Sequence, residues 1–587
     1  MKEFLKKNHV YICFILCALI MLWRAFLGFC WTDESFYIST ADRFYKGDIP
    51  LFNEWYRTQM SSIIMLPLYY LYMLIAGSNA GIVLYFRLVY LVLTLCISVL
   101  YYRVLVKEYP KIVAGAAGLF ILLFAHLNMA TFSYYMMSSL FLSVALILVY
   151  DHKNSHSRFR LVLAGVMTAL AVMSMPAFVV VYVLVMAGVV IMIAANRNRK
   201  ELREITVYTI AGIAIPAILF MIYLFSHMSL RYLIETLPYV LTDSEHSNTF
   251  GYFIRKPHRC MVDVFGARMT YAAYAIIAVS FIFQKMLRKH PFRELVVIAD
   301  FILFALMTYV SYGHVGYVSV AFFAFIIPVY FLSEKRNLRL FFLMIVPAAL
   351  VALVYCFASS DFLYIMALGF QIATGAGICI LYDFTEGYGK ADKKTGLPKC
   401  ANVLCICVCV SMLVITFVLR IVNVYRDAPI DRLTSRITDG VAKGLYTTEE
   451  HLQQYNDVYE MIGDYCMDTG KFEVISGNPN GNVLFSKILP WGYAASGLSC
   501  GYPTTWRSTA YSKEQLDLYY DINKNARPDV IIVLDSRYGS YDACGDVEDD
   551  HNPNLDEMPD HWREYIKDNG FDEIRVKCAK VYCRPRQ

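Results

Sequence analysis

Long apolar runs, separated by short polar segments, dominate the first 422 residues of the chain. Most runs are about 17–25 residues long, which is the length that an α-helix needs to cross a hydrocarbon layer of about 30 Å. The pattern therefore predicts thirteen membrane-spanning helices, near residues 10–29, 82–102, 112–129, 131–150, 161–175, 177–195, 205–227, 269–284, 294–312, 316–333, 340–358, 361–382 and 401–422.

One further apolar run, 61–76, is shorter, rich in Tyr and interrupted by Pro67. It could cross the membrane or lie in its surface as an amphipathic element. Lys and Arg concentrate in the cytoplasmic loops of membrane proteins. If 61–76 does not cross, seven segments rich in Lys and Arg fall on one side of the membrane. The four short connections on the other side, near Asn128, Met175, His314 and Ser360, then hold none. The charge pattern thus favours a surface position for 61–76 and a cytoplasmic N-terminus.

This topology places three longer segments on the exported side of the cell membrane. They are a first loop at 30–85, a second loop at 226–268, and the tail from 423 to 587. The tail is acidic, with 18 Lys and Arg against 27 Asp and Glu, and it is long enough to bury a core of its own. We therefore divide the chain into a membrane domain, 1–422, and an exported domain, 423–587.

The tail pattern alternates between helix-like and strand-like segments and predicts an α/β domain. Thr447-Thr448-Glu449-Glu450 fits a capping box at the start of a helix. Further helices are predicted at 512–523 and 561–569, and strands at 472–476, 529–534 and 573–582. Trp491 and Trp506 lie in aromatic and polar stretches that serve either core packing or stacking against sugar rings.

Composition agrees with this division and excludes a soluble globular class. Hydrophobic residues make up 58% of the chain and charged residues only 17%. The net charge of +5 gives no reason to expect a nucleic-acid partner. The predicted fold is an all-α polytopic membrane domain of about thirteen helices, followed by a C-terminal exported α/β domain.

A pair of carboxylates, Asp33 and Glu34, opens the first exported loop a few residues after the first predicted span. Anchoring to a helix end restricts how far a side chain can move, and preorganised geometry favours catalysis. The membrane interface also changes the pKa of a carboxylate and can make it a useful general base. The alternative is that both residues are simply the polar end of a helix.

The first 150 residues resemble the C-type (GT-C) integral-membrane glycosyltransferases. This superfamily includes the protein O-mannosyltransferases and the bacterial transferase that adds aminoarabinose to lipid A. The resemblance lies in Asp33-Glu34-Ser35-Phe36-Tyr37, Arg43-Phe44-x-x-Gly47-Asp48, Leu66-Pro67-Leu68-Tyr69-Tyr70 and Phe86-Arg87-Leu88. Beyond this region, the remainder of the chain is similar only in its topology.

The resemblance implies a transferase that uses a polyprenyl-phosphate sugar as donor and acts on the exported side. Asp33 would deprotonate the acceptor hydroxyl, and Glu34 would orient the acceptor or help to hold a divalent cation. Arg57 and Arg87 would bind the donor phosphate, because guanidinium groups suit phosphate oxygens. Both arginines could instead lie at the interface as snorkelling side chains.

The sequence departs from the family after the third span, where many relatives carry an acidic cluster. Here the segment is Asn128-Met129-Ala130-Thr131-Phe132-Ser133-Tyr134-Tyr135. Replacement ligands for the acceptor or for a cation, Mg²⁺ or Mn²⁺, could come from other exported residues, namely Glu235, Asp243, Glu245, His246 and His314. The alternatives are a solvated loop for the first four and a turn for His314.

These observations favour a membrane glycosyltransferase, with an exported glycan, lipid or protein as its acceptor. Two other classes stay open. A transporter or flippase of lipid-linked glycans would show internal repeats and polar groups at the bilayer midplane, and no repeat is visible. A non-catalytic envelope assembly protein would keep the fold without the chemistry.

Overall fold

The computed structural model describes residues 2–194, 199–241, 294–310, 315–333, 335–358, 363–389, 397–467, 469–486, 488–506, 508, 510–535, 538 and 558–586, with isolated positions between 255 and 282. Helices dominate the part of the chain before residue 423, and the five-stranded sheet lies entirely after it. The predicted combination of a helical membrane part with a C-terminal α/β part is therefore confirmed.

Most helices of the membrane part match the predicted apolar runs, whereas the second and the tenth lie in the two predicted exported loops. The helices are α1 (Lys2–Arg24), α2 (Asp33–Tyr45), α3 (Met60–Ala76), α4 (Ile82–Leu105), α5 (Lys111–Leu123), α6 (Tyr134–Ser155), α7 (Arg158–Ser174), α8 (Phe178–Ala194), α9 (Arg199–His227), α10 (Leu230–Leu241), α11 (Glu294–Val310), α12 (Val315–Leu332), α13 (Val346–Ala358), α14 (Leu363–Gly389) and α15 (Leu397–Val422). A short helix, Leu338–Leu340, and a π-helical turn, Phe341–Ile345, precede α13.

Six of the described helices are long and apolar enough to cross a membrane, by length and composition. Six shorter apolar helices accompany them, and 61–76 falls in this second group as α3. The predicted span 269–284 is described only at isolated positions. The total of thirteen spans, the side of each loop and the domain boundary stay predictions.

Apolar side chains on the outer faces of the bundle remain exposed, as expected for a lipid-facing surface. On α1, for example, Ile15 and Leu19 are more than half exposed, whereas Phe14 and Met21 are buried. Glycines allow the closest helix contacts inside the bundle. A Cβ on Gly118 of α5 would lie 2.6 Å from the backbone oxygen of Ser98 in α4.

The first predicted exported loop folds into α2 and α3, joined by a turn. Almost every residue of α2 is buried, because the helix lies between the bundle and the tail. Ser62 of α3 donates to the backbone oxygen of Tyr37 at 2.9 Å. From the connecting turn, the backbone N–H of Trp55 donates to the backbone oxygen of Pro503 in the tail at 2.8 Å.

The tail contains strands β1 (Ser435–Arg436), β2 (Tyr446–Thr447), β3 (Asn482–Phe485), β4 (Ser499–Cys500), β5 (Val530–Leu534), β6 (Asp572–Arg575) and β7 (Ala579–Cys583). Its helices are α16 (Glu449–Cys466), α17 (Pro490–Ala495), α18 (Lys513–Ile522) and α19 (Asp560–Asp568). The main sheet has the order β4-β3-β5-β7-β6, with β3 parallel to β4 and β5, and β7 antiparallel to β5 and β6.

Three local predictions for the tail are wrong. Residues 472–476 form no strand, because the Asp529 carboxylate accepts the backbone N–H groups of Ile475 and Ser476 at 2.8 Å. The predicted strand 573–582 is a hairpin of two strands, β6 and β7. Thr448, and not Thr447, caps α16, so Glu450 does not stand where a capping box needs it. The strand predicted at 529–534 is confirmed as β5.

Candidate functional site

Asp33 is the first residue of α2, and the turn that presents it depends on Gly28. Gly28 has φ of +78°, and its N–H donates to the backbone oxygen of Tyr446 in β2 at 2.8 Å. A Cβ at this position would collide with the side chain of Val424. The chain therefore leaves α1, passes closely under the tail, and starts α2 with a carboxylate at its N-terminus, where the helix dipole favours negative charge.

The Asp33 carboxylate is held on one side and open on the other. Its Oδ2 accepts from the Tyr425 hydroxyl at 2.9 Å and from Thr32 at 3.3 Å, and it pairs with Arg426 at 2.9 Å. Its Oδ1 has no hydrogen bond within the described part of the chain. The side chain is 23% exposed, so a ligand can reach it. Burial and the neighbouring Asp33 charge raise the pKa of Tyr425 well above its usual value, which keeps this hydroxyl a donor.

Glu34 points away from that opening and forms a buried ion pair with Arg87 of α4. Two parallel hydrogen bonds of 2.6 Å join the carboxylate to Nε and Nη2 of the guanidinium. Arg87 also donates to the backbone oxygens of Ala25, Leu27 and Gly28. All five of its N–H groups are thus engaged. The phosphate-binding role that the sequence suggests for Arg87 does not fit this geometry, and both Glu34 oxygens are occupied as well.

The segment after α15 closes the site from the tail side. Beside Tyr425 and Arg426, Asp427 is buried and accepts the backbone N–H of Phe29 at 2.7 Å. Its carboxylate also binds Thr447 at 2.9 Å and His451 at 2.8 Å. Three consecutive residues therefore connect the tail to the turn that carries Asp33. Local sequence pattern gave no signal for this connection, because the partners lie about 400 residues apart.

A cleft lined by three arginines lies next to the carboxylate pair. Arg24, Arg87 and Arg420 line it together with Glu34 and Tyr425. Arg24 donates to the backbone oxygens of Ile421 and Asn423 at the end of α15, at 3.2 and 2.6 Å. A charged residue inside an apolar span is costly and marks a functional position. That signal applies to Arg24 and equally to Arg420. The position of Arg420 within an apolar run could have marked it as a site residue from the sequence alone.

Aromatic side chains surround α2 and the tail that covers it. Trp31 packs edge-on against Trp491 at 5.3 Å between ring centroids, and Phe36 packs in the same way against Trp506 at 5.1 Å. Both tail tryptophans are buried, so in this structure they pack in the core rather than form an exposed sugar-stacking surface.

The remaining predicted site residues are not brought together. Arg57 is half-buried in the turn between α2 and α3 and is not part of the arginine cleft. Glu235 lies on α10, where it pairs with Arg231 at 2.8 Å. Asp243, Glu245, His246 and His314 lie outside the described residues. Among the residues that are described, no three His, Cys, Asp or Glu side chains form a group that could hold a metal ion. A divalent cation, Mg²⁺ or Mn²⁺, stays a proposal.

The chain is similar to known proteins in its structure and not in its sequence. No protein-family model matches the chain, and no curated protein matches it by sequence. Among solved structures, the chain is similar to ArnT from Cupriavidus metallidurans in the apo state, with 10% sequence identity and a TM-score of 0.43. The match covers 98% of each chain.

Proposed function

We propose that the protein is a membrane glycosyltransferase that transfers a sugar from a polyprenyl-phosphate donor to an exported acceptor. The observation that carries the proposal is the half-open Asp33 carboxylate beside an arginine-lined cleft. The Asp33 carboxylate is suited to accept a proton, and the guanidinium groups of the cleft are suited to bind a phosphate. The class of donor, a polyprenyl-phosphate sugar, is taken from the resemblance of the sequence motifs to the GT-C superfamily.

In the proposed reaction, Oδ1 of Asp33 accepts the proton of the acceptor hydroxyl as its oxygen attacks the anomeric carbon. The bond between that carbon and the donor phosphate oxygen breaks, and its electron pair leaves with the lipid phosphate. The configuration at the anomeric carbon is inverted. Tyr425 and Arg426 hold Oδ2, so the free oxygen keeps its orientation. Guanidinium groups near the leaving phosphate stabilise its developing charge.

The proposal is tested with Asp33→Asn in cells that lack the chromosomal copy of the protein. General-base catalysis contributes about 10²–10⁴-fold to a rate. We therefore expect the variant to lose transfer by at least about 100-fold, while it folds and inserts normally. Mass spectrometry of envelope glycans, lipids and proteins measures the transferred sugar, and detergent-extracted protein reports the amount and the melting temperature.

Asp431→Asn is the matched control, because Asp431 is an exposed carboxylate just after the same segment. Normal transfer by Asp33→Asn would rule out its role as the base. If deletion of the protein changes the flux of a lipid-linked glycan but no covalent product, the proposal of a transferase is wrong and a transporter is favoured.

A further inference from the structure

Arg420, in the last turn of α15, has guanidinium N–H groups without a partner. Its Nη1 donates to the backbone oxygen of Asn128 at 2.7 Å and to the side-chain oxygen of the same residue. Its Nε is buried and has no hydrogen bond, and its Nη2 makes none within the described part of the chain. An arginine presents five N–H groups in a planar fork. The Nε–Nη2 edge of Arg420 is therefore unused.

The other two arginines of the cleft, Arg87 and Arg24, use more of their N–H groups than Arg420 does. Arg87 uses all five N–H groups, two of them on the Glu34 carboxylate. Arg24 uses each of its three nitrogens on a backbone oxygen, and two of those oxygens belong to the end of α15. The carbonyl end of a helix carries partial negative charge, so it compensates Arg24 in part. Within the described residues, Arg420 binds no carboxylate and only one backbone carbonyl, that of Asn128.

The charges of the cleft do not balance without a further anion. Three arginines line the cleft, and two buried carboxylates act on them: Glu34, which Arg87 already binds, and Asp427, which lies near Arg24 and Arg87 and also binds His451. One positive charge therefore remains without a counter-charge in the described part of the chain. Arg24 is 5% exposed and Arg420 is 4% exposed, so solvent compensates neither charge well. Buried cations are costly unless they are paired. An anion that enters the cleft would satisfy both the charge and the open edge.

We propose that Arg420 binds a phosphate group through its Nε–Nη2 edge, with Arg24 as the second cation. Two parallel N–H groups match two oxygens of a phosphate, which makes this edge specific as well as attractive. The cleft is narrow, so the ligand has to move side chains of the lining. Met129 is one of them, and an unbranched methionine adapts readily to a change of shape.

The position of the cleft favours a lipid phosphate over free phosphate. Arg24 and Arg420 each lie in the last turn of an apolar helix. The ends of apolar helices are where arginine side chains meet lipid headgroups. Tyr425 lines the cleft and also binds Asp33, so a phosphate held here lies close to the proposed base. The inference rests on the proposed function for the identity of the lipid, but binding can be measured without any transfer.

The test measures binding of three probes to the full-length protein in lipid nanodiscs. Farnesyl phosphate represents a lipid phosphate, inorganic phosphate represents the free anion, and farnesol lacks the charge. Hydrogen bonds to charged groups are worth about 1.5–3 kcal/mol, which corresponds to about 10–150-fold in Kd. We expect Arg420→Gln to weaken the binding of farnesyl phosphate by at least tenfold. Arg420→Lys keeps the charge but lacks the planar fork of N–H groups. Its affinity for farnesyl phosphate should therefore lie between those of the wild type and Arg420→Gln.

Arg432→Gln is the matched control, because Arg432 is an exposed arginine of the nearby tail and should bind farnesyl phosphate as the wild type does. Should Arg420→Gln fail to fold, a rise in the wild-type melting temperature with farnesyl phosphate that is smaller in Arg420→Lys supports the site. Equal binding of inorganic phosphate supports the anion site with free phosphate as its source. Unchanged binding by a folded Arg420→Gln, or binding of farnesol as tight as that of farnesyl phosphate, overturns the proposal.

Asp33→Asn separates the two proposals. It should bind farnesyl phosphate normally even though it transfers no sugar. Normal transfer by Asp33→Asn together with lost binding by Arg420→Gln would refute the proposed base and leave the phosphate site standing.

Discussion

At the scale of single residues, the two adjacent carboxylates of α2 differ because their surroundings differ. Asp33 is 23% exposed and shares one oxygen with Tyr425 and Arg426, whereas Glu34 is 2% exposed and closed by Arg87. The sequence shows both as one acidic pair. Consecutive residues of a helix point about 100° apart, and the bundle wall on one side decides which of them reaches the site.

The buried Glu34–Arg87 pair should contribute strongly to stability. Glu34→Gln leaves the Arg87 guanidinium buried without its counter-charge, so we expect the free energy of unfolding to fall by about 3–5 kcal/mol. Chemical or thermal unfolding in detergent measures this loss. The matched control is Glu573→Gln, which breaks the exposed Glu573–Arg575 pair and should change stability little. A similar small change for both variants would contradict a structural role for the buried pair.

At the scale of elements, helix positions follow the hydrophobic pattern, but helix contacts depend on small residues. α7 and α9 touch at Gly165 and Gly212, where a Cβ on either glycine would collide with a backbone oxygen of the other helix. Small residues let membrane helices approach closely. The apolar runs predicted both helices, yet they could not show that these two pack together, because the runs carry no information about partners.

Two glycine substitutions test how closely α7 and α9 pack. Gly212→Ala pushes α7 and α9 apart, and overpacking of this kind costs about 1–3 kcal/mol. Gly188→Ala in α8 has nothing within 4 Å of the new Cβ, so it should leave stability unchanged or raise it by up to about 1 kcal/mol, as alanine favours a helix. The melting temperature of purified Gly212→Ala should therefore fall, and that of Gly188→Ala should stay the same or rise. Equal shifts would show that the contact between α7 and α9 is not close.

At the scale of the whole molecule, the tail is attached to the first loop and forms part of the proposed site. Lys46, at the end of α2, donates to the backbone oxygens of Tyr493, Ser496 and Leu498 in the tail, at 3.2, 2.9 and 3.0 Å. At the other end of α2, Tyr425 and Arg426 bind Asp33. The tail therefore holds α2 at both ends.

Lys46→Met should loosen this attachment while it keeps the length of the side chain. Three charge-assisted hydrogen bonds to the tail are lost, together with the ion pair between Lys46 and Asp42 within α2. We therefore expect faster amide hydrogen exchange in α17 and at the start of β4. Lys513→Met is the control, because Lys513 forms only an exposed pair with Glu564 and should leave exchange in these elements unchanged. If Lys46→Met exchanges as the wild type does, the tail is held by its other contacts.

The sequence by itself determined the class of the protein, most helices of the membrane part and the place of Asp33 near the end of the first apolar helix. These features depend on hydrophobic length and on short motifs, which are local. The sequence predicted fewer of the tail's elements correctly. It did not predict β3, because a run of four buried residues is too short to interpret. Only the tertiary structure decided that Arg87 is closed by Glu34, that Arg420 is open, and that Tyr425 and Arg426 meet Asp33. Such contacts join residues far apart in the chain, and packing, rather than any local pattern, brings them together.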